Sequence, residues 1–381
     1  MYRPIQFIRK YSTNNRIKYP SLYSQINYYA NKNQKSISLN ELIFFGSSNE
    51  NEKLVINAAK FMYNELPIRL SRRIKDLDLL PFGLSTTDNV NKIREWYIHS
   101  FSDFISIPEP NSYSDAEKLH EISKIVYQRH SSTLITMARG IKKIEKDKNI
   151  NLSYQDLQKF LDRFYMSRIG IRVLLDQYIS LFGENKTNDY SGIICLKTEP
   201  VSILQDAITD VEDIVYRNRY CMPEIKIESQ DVFFPYIPSH LYYCLFEILK
   251  NAVVAVNVKH NYANFIETAH KFDKYLINCK IINDDNLILI KISDSGTGIE
   301  QNVLKKIWNY AYTTTLIDDN DLYTSDFSTE SPLAGFGYGL PITKLLLEYS
   351  GGRIDIFSKK DIGTDVYIVL NKNGDFNEIL P

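Results

Sequence analysis

Residues 241–258, LYYCLFEILKNAVVAVNV, constrain the chain more than any other stretch. At 100° per residue, Leu241, Leu245, Ile248, Leu249, Ala252, Ala255 and Val256 fall on one face, the stripe of a buried helix. Glu247 and Asn251 stand four apart, one turn above each other, on the flank of that stripe. A carboxylate and a carboxamide at the edge of a buried face are costly unless something uses them. Together they offer a proton acceptor and an oxygen ligand suited to Mg²⁺. The plainer alternative is a solvated helix edge.

Residues 286–293, NLILIKIS, are apolar on both faces and predict a strand inside a sheet. The strand runs into Asp294-Ser-Gly296-Thr-Gly298, a tight turn that bares backbone amides and one carboxylate. That carboxylate can accept from an exocyclic amine such as adenine's; a simple strand-to-helix turn would spell the same way. Residues 313–334 then hold five acids (Asp318, Asp319, Asp321, Asp326, Glu330) and no Lys or Arg, with little periodicity. A loop this long inside a domain predicts a lid or a disordered segment. It leads into Gly335-Phe336-Gly337-Tyr338-Gly339, then Leu340-Pro341 and a helix ending near Ser350. Glycines before a helix N-terminus let backbone N–H groups and the helix dipole meet a phosphate. The run does not follow a strand, so it is not a dinucleotide-binding turn. Residues 353–358 and 364–370 alternate as a hairpin around 359–363, with Thr364 opening the last strand.

The first half differs. Over residues 38–182 four long helical patterns, broken by turn signals such as Pro81-Phe82-Gly83 and Pro108-Glu-Pro110, predict an up-and-down bundle. The third pattern runs unbroken from Leu119 to Ile141. Arg129-His130 lies within it; without a following acid and proline, a packed His is expected rather than a phosphoacceptor. Asp162, Arg163 and Arg168 read as ordinary helix-surface ion pairing. The polar run 183–192 is the expected linker to a second domain over residues 193–373.

Composition narrows the function classes. A net charge of −1 argues against a nucleic-acid binder that relies on a basic surface. No apolar run reaches the ~18 residues of a membrane span. Cys195, Cys221, Cys244 and Cys279 form no CxxC pair and read as small hydrophobes in a reducing compartment. Residues 1–40 carry seven Lys or Arg and no acid, which predicts a mitochondrial transit peptide over 1–20, with a cleavage signal before Ser12, or else a loose basic tail.

The order of these pieces resembles the ATP site of the GHKL superfamily (gyrase, Hsp90, histidine kinases), a Bergerat-type α/β sandwich. More specifically, PLAGFGYGLPI (332–342), LFEILKNA (245–252), KISDSGTGI (291–299), LDRFYMSRIGIR (161–172) and ELPIRL (65–70) look like the mitochondrial pyruvate dehydrogenase kinases and branched-chain 2-oxoacid dehydrogenase kinase. The resemblance runs from about residue 38 to 370. It implies an α+β chain of two domains, an N-terminal four-helix bundle and a C-terminal ATP-binding sandwich. It implies ATP and Mg²⁺, a mitochondrial matrix location, and phosphorylation of a serine on the α subunit of the pyruvate dehydrogenase complex's decarboxylase component. It further implies docking to the lipoyl domain of the acyltransferase, and a homodimer or a heterodimer with a related kinase.

Carried over residue by residue, Glu247 is the general base, Asn251 ligates Mg²⁺ and Lys250 lies beside the phosphates. Asp294, Gly296 and Gly298 hold adenine with help from Thr364, and Gly335, Phe336, Gly337, Tyr338, Gly339 and Leu340 wrap the phosphates. Tyr97, Ser100, His130 and Arg168 match the family's pocket for pyruvate-like inhibitors. Departures accompany the match. Tyr243 stands where the pyruvate kinases carry a His, Val254 replaces an Arg, and Tyr127 replaces an Arg near His130. The C-terminal Asp-Trp pair is missing, the two tryptophans being Trp96 and Trp308. The pyruvate complex is the expected substrate; Tyr243 and the spelling of residues 361–367 lean toward the branched-chain complex. A nucleotide-latched scaffold for a partner kinase is a reading from a different class.

Overall fold

The computed structural model describes residues 20–46, 52–80, 84–145, 154–183, 189–217, 221–260, 276–313, 337–374 and 377–381. The expected leader with its cleavage signal, residues 184–188 of the expected linker, the acidic loop beyond Thr313, and both Gly335 and Phe336 lie outside these residues. The chain divides into two compact units, one built on residues 41–187 and one on residues 188–379.

The first unit is helical: α1 (Pro20–Ala30), α2 (Leu39–Gly46), α3 (Glu52–Asp78), α4 (Asp88–Ile105), α5 (Tyr113–Arg129), α6 (Thr133–Glu145) and α7 (Tyr154–Ser180). Helix α3 packs against α4, α5 and α7, making the core of the expected bundle, and α1 covers it as an additional helix. Local chemistry sets the ends. Thr87 accepts from the Val90 amide to start α4, and Ser112 accepts from the Asp115 amide to start α5. Pro67 sits inside α3 without ending it, although it leaves the Tyr63 carbonyl without its usual intrahelical donor.

One expectation fails here. The pattern from Leu119 to Ile141 is two helices, not one, and the break falls at His130–Ser132. His130 is the C-cap residue at this break and turns inward to Ser100, its Nε2 lying 2.9 Å from the Ser100 Oγ. Apolar spacing continues through the bend because both helices face the same core, so periodicity does not register the break.

Glu65 and Arg69 of the ELPIRL string are both buried and paired at 3.0 Å. The Lys35 amide donates to Glu65 Oε1 at 3.0 Å, and Arg69 Nη2 donates to the Lys35 carbonyl at 2.8 Å. Arg72 adds a bond to the Lys32 carbonyl at 2.6 Å. The motif therefore straps residues 32–35 onto α3.

The second unit holds β1 (Tyr190–Ser191), β2 (Ile194–Thr198), α8 (Pro200–Arg217), β3 (Glu224–Ser229), β4 (Phe234–Tyr236), α9 (Pro238–His260), β5 (Leu276–Asn283), β6 (Leu287–Asp294), α10 (Gln301–Leu304), α11 (Gly339–Tyr349), β7 (Arg353–Lys359) and β8 (Gly363–Asn371). Five strands form a mixed sheet in the order β3-β5-β6-β8-β7, parallel only between β3 and β5. Strand β6 is interior, as its apolar run requires. Ile288, Ile290 and Ile292 point to the helical face with Ile368 and Leu370 of β8. Sequence reading did not resolve β5, whose start follows a stretch without a clear period, or the small sheet β1-β2-β4.

Helix α9 packs against α8, α11 and β6. Among the described residues it is the one helix long and apolar enough to cross a membrane, but 67% of its apolar window is buried inside the unit, as befits a core helix. Cys195, Cys244 and Cys279 are buried and all four cysteines are free thiols.

Candidate nucleotide site

Helix α9 carries the first part of the site. Glu247 is 8% exposed and Lys250 is 2% exposed. Lys250 Nζ donates to Glu247 Oε1 at 2.7 Å and lies 5.2 Å from the Phe246 ring centre. Both charges are thus out of water and paired, the only arrangement in which burying them is tolerable. Asn251, one turn on, is exposed, and its carboxamide has no protein partner among the described residues. The expected flank splits in two: its acid turns inward and its amide faces out.

The i, i+4 row continues through Ala255 and Lys259, and both serve the loop after β6. The Thr297 amide donates to the Ala255 carbonyl at 3.3 Å. A methyl on Gly296 would sit 2.7 Å from Ala255, so both positions must be small. Ala255 was expected in the core stripe; it lies at the edge of the site instead. Lys259 Nζ donates to the Ser295 carbonyl at 2.7 Å and to the Ile362 carbonyl at 3.3 Å, gathering the loop and the β7–β8 turn. Sequence reading passed over Lys259, although its place in the 247-251-255-259 row was a usable signal.

Asp294 ends β6 opposite Thr364 of β8. The Gly296 amide donates to its Oδ1 at 2.8 Å. Burial pushes the Asp294 carboxyl up to about 6, against the pull of the Gly296 and Thr364 amides. Gly298 has φ +62°, and a side chain there would meet the Lys359 carbonyl at 2.0 Å, so the loop and the turn after β7 touch backbone to backbone. Gly298 shapes this contact.

The third part arrives with α11. Tyr338 occupies the N-cap position of the helix and its ring lies tilted against that of Tyr310, centres 5.4 Å apart, while Gly337 lies against the Tyr312 backbone. A methyl on Gly339 would lie 2.0 Å from Glu247 Oε2, so the first turn of α11, with Leu340 and Pro341, abuts the buried acid. Cys244 Sγ, 3.7 Å from the Thr343 carbonyl, fixes the same two helices together. Residues from α9, the end of β6 and its loop, the start of β8 and the first turn of α11 make up this region: Glu247, Lys250, Asn251, Asp294, Gly296, Gly298, Thr364 and Gly339.

The donors present fit a nucleotide with its cation. A helix N-terminus suits phosphate. Mg²⁺ carried on phosphates needs only one or two protein oxygens, and the exposed Asn251 carboxamide has one to offer.

In the first unit, the structure brings Tyr97, Ser100, His130 and Arg168 together as expected. Tyr97 meets the His130 ring at 4.4 Å, Arg129 reaches Ser100 and Asp103 at 2.8 Å each, and Arg168 donates to the His130 carbonyl at 3.3 Å. Burial, helped by Arg168, Arg129 and Arg172, drives His130 down to about 3, so it is neutral at ordinary pH. Tyr127 supports Arg172, whose guanidinium lies 3.9 Å over its ring, and donates to Asp176.

Two family models match the chain. Residues 236–374 match the family model of histidine kinase-, DNA gyrase B- and HSP90-like ATPases. Residues 36–195 match the model described as mitochondrial branched-chain alpha-ketoacid dehydrogenase kinase. The mitochondrial pyruvate dehydrogenase (acetyl-transferring) kinase of Arabidopsis thaliana is 36% identical over 367 residues, 95% of this chain and 97% of that protein. Isozyme 4 of Rattus norvegicus is 33% identical, covering 88% of this chain and 80% of its own. Isozyme 1 of Mus musculus is 31% identical, covering 91% and 79%. Fold and site thus define an ATP-binding domain of the histidine kinase and gyrase type joined to a helical unit. The chain belongs to the mitochondrial pyruvate and branched-chain 2-oxoacid dehydrogenase kinase family.

Proposed function

We propose that the chain is an ATP-dependent protein-serine kinase that phosphorylates, and so inactivates, the α subunit of the pyruvate dehydrogenase decarboxylase component. The contact between Glu247 and Gly339 carries the reading, because it joins a potential base to a helix N-terminus fit for phosphate. Glu247 takes the proton of the serine hydroxyl. Lys250 holds Oε1, which leaves Oε2 as the accepting oxygen, and adds positive charge beside the phosphates. Asn251 holds Mg²⁺, which neutralises phosphate charge when bound. Asp294, Gly296, Gly298 and Thr364 seat adenine, while Gly335, Phe336, Gly337, Tyr338, Gly339 and Leu340 enclose the phosphates. Phosphoryl transfer depends chiefly on positioning and charge neutralisation. A base adds roughly 10²–10⁴-fold.

The names of the relatives support the pyruvate complex as substrate and, with the basic N-terminus, the mitochondrial matrix as location. The same reading includes the acyltransferase's lipoyl domain as the dock and a homodimer or a heterodimer with a related kinase. The branched-chain complex is the second reading, favoured by Tyr243 and by the family model matched over residues 36–195. Incubating the purified chain with each complex and labelled ATP tests both. Label on the pyruvate dehydrogenase α subunit is expected. Label on the branched-chain complex alone would transfer the assignment, and nucleotide binding without label on either would favour the scaffold reading.

A further inference from the structure

Tyr242, Phe246 and Lys250 follow one another along α9 at steps of four, so each lies one turn above the last. Lys250 belongs to the proposed site, whereas the two rings before it have had no role so far. Phe246 is buried, and its ring lies nearly parallel to that of Tyr242, 18° apart with centres at 5.9 Å. The Tyr242 hydroxyl in turn donates to Asp210 of α8. One turn further on, Lys250 Nζ stands over the Phe246 ring, 5.2 Å from its centre. The same ammonium donates to Glu247 Oε1 at 2.7 Å.

A lysine is a point charge on a flexible stem, with three donors that rotate freely. A single carboxylate oxygen does not fix such a group. In the proposed site two anions compete for it, the Glu247 carboxylate and the phosphates. The ring face settles the competition. An aromatic face attracts a cation within about 6 Å of its centre, and the attraction is strongest when both partners are out of water. Phe246 and Lys250 are both buried, so this contact is of the stronger kind. It holds the ammonium back against Oε1 instead of leaving it to extend toward the phosphates.

Resting on the kinase reading above, we infer that Phe246 is a positioning residue for phosphoryl transfer: its ring keeps Lys250 on Glu247 Oε1, and so keeps Oε2, the oxygen beside Gly339, open to the serine proton. Tyr242 backs the ring by stacking on it, and the bond to Asp210 ties that stack to α8. Without the ring face the ammonium is free to bridge both carboxylate oxygens or to swing to the phosphates. In the first case Oε2 is shared with a cation and accepts a proton less readily. In the second the buried acid loses its partner and its fixed orientation. Either way transfer slows, while the nucleotide keeps its own contacts.

Transfer of label from ATP to the dehydrogenase α subunit, set beside Mg·ATP calorimetry on the same full chain, provides the test. Phe246→Leu keeps an apolar side chain and removes the ring face. Its kcat should fall roughly tenfold, the scale of one desolvated cation–ring contact, with Mg·ATP affinity unchanged. Phe246→Tyr keeps the face and should restore the rate. Parent-like rates in Phe246→Leu would overturn the assignment. So would a fall in transfer matched by an equal loss of Mg·ATP affinity, the mark of a ring that only fills space. Should Phe246→Leu not fold, trifluorophenylalanine in place of Phe246 carries the test, because it keeps the ring's outline and drains negative charge from its face. Slower transfer at parent affinity is expected there, and an undiminished rate overturns the assignment. Failure of the parent chain to label either complex would instead remove the kinase reading, and this inference with it.

Discussion

Gly339 and Glu247 touch: a single methyl on the glycine would stand 2.0 Å from the acid's Oε2. Gly339→Ala should therefore displace the carboxylate more than it disturbs the fold, since the far end of a side chain can yield where backbone cannot. The expected result is a loss of phosphate transfer approaching the roughly 10²-fold lower bound for a missing base, with a melting temperature near that of the parent. Initial rates on the dehydrogenase α subunit, set beside a thermal melt, check this. Parent-like rates in the variant would show that the contact is not functional.

Glu247→Gln preserves size and leaves an acceptor for Lys250. Transfer should fall by about 10²–10⁴-fold while Mg·ATP affinity persists. Single-turnover kinetics and calorimetry separate the two quantities, and undiminished transfer would refute the base assignment. In the companion variant Asn251→Ala, Mg·ATP affinity should drop.

Asp294 has a folded-state pKa of about 6, above its ordinary 3.8. The folded chain thus holds this proton more tightly than the unfolded chain. The resulting contribution to stability is full below about pH 4 and is lost as pH rises through 6. At pH 7–8 the ionised carboxylate is held at a cost. Asp294→Asn should accordingly melt higher than the parent at pH 8, with the gap closing toward pH 4, while ATP affinity falls. Melts across that range decide it; a gap that does not vary with pH would contradict the assigned shift.

His130 works in the opposite sense. Its folded-state pKa of about 3 lies below the usual 6.5, so it contributes stability above pH 6.5 that is lost progressively toward pH 3. The parent should lose more melting temperature between pH 7 and pH 5 than His130→Gln does. The same buried ring should acquire no acid-labile phosphate from labelled ATP. Recovery of phosphohistidine at this position would restore the phosphoacceptor role that the sequence context argues against.

Arg69→Met leaves Glu65 buried without its cation and loosens residues 32–35. A cost of about 3–5 kcal/mol is expected, because the buried carboxylate loses its paired cation. Replacing Glu65 by Met as well should recover part of it. Urea unfolding curves provide the measurement, and a single variant as stable as the parent would remove the clamp from the account.

Much of this was legible from one dimension. The stripe of α9, the interior run of β6, the β7–β8 hairpin and the glycines before α11 follow from side-chain period and backbone permissiveness, which are local properties. So does the order of the motifs along the chain. The inward turn at His130 was not legible, because a core-facing pattern runs straight through a bend at which His130 meets Ser100 of another helix. Nor was the burial of Lys250, which on spacing alone looks like a solvent-facing lysine.

Only the tertiary structure decided that Glu247 meets Gly339, that Lys259 gathers two loops, and that Thr364 pairs with Asp294. Sequence period reports which side of an element avoids water. It does not report which distant donor meets which acceptor, since that depends on strand register and helix packing that form only when the whole unit condenses.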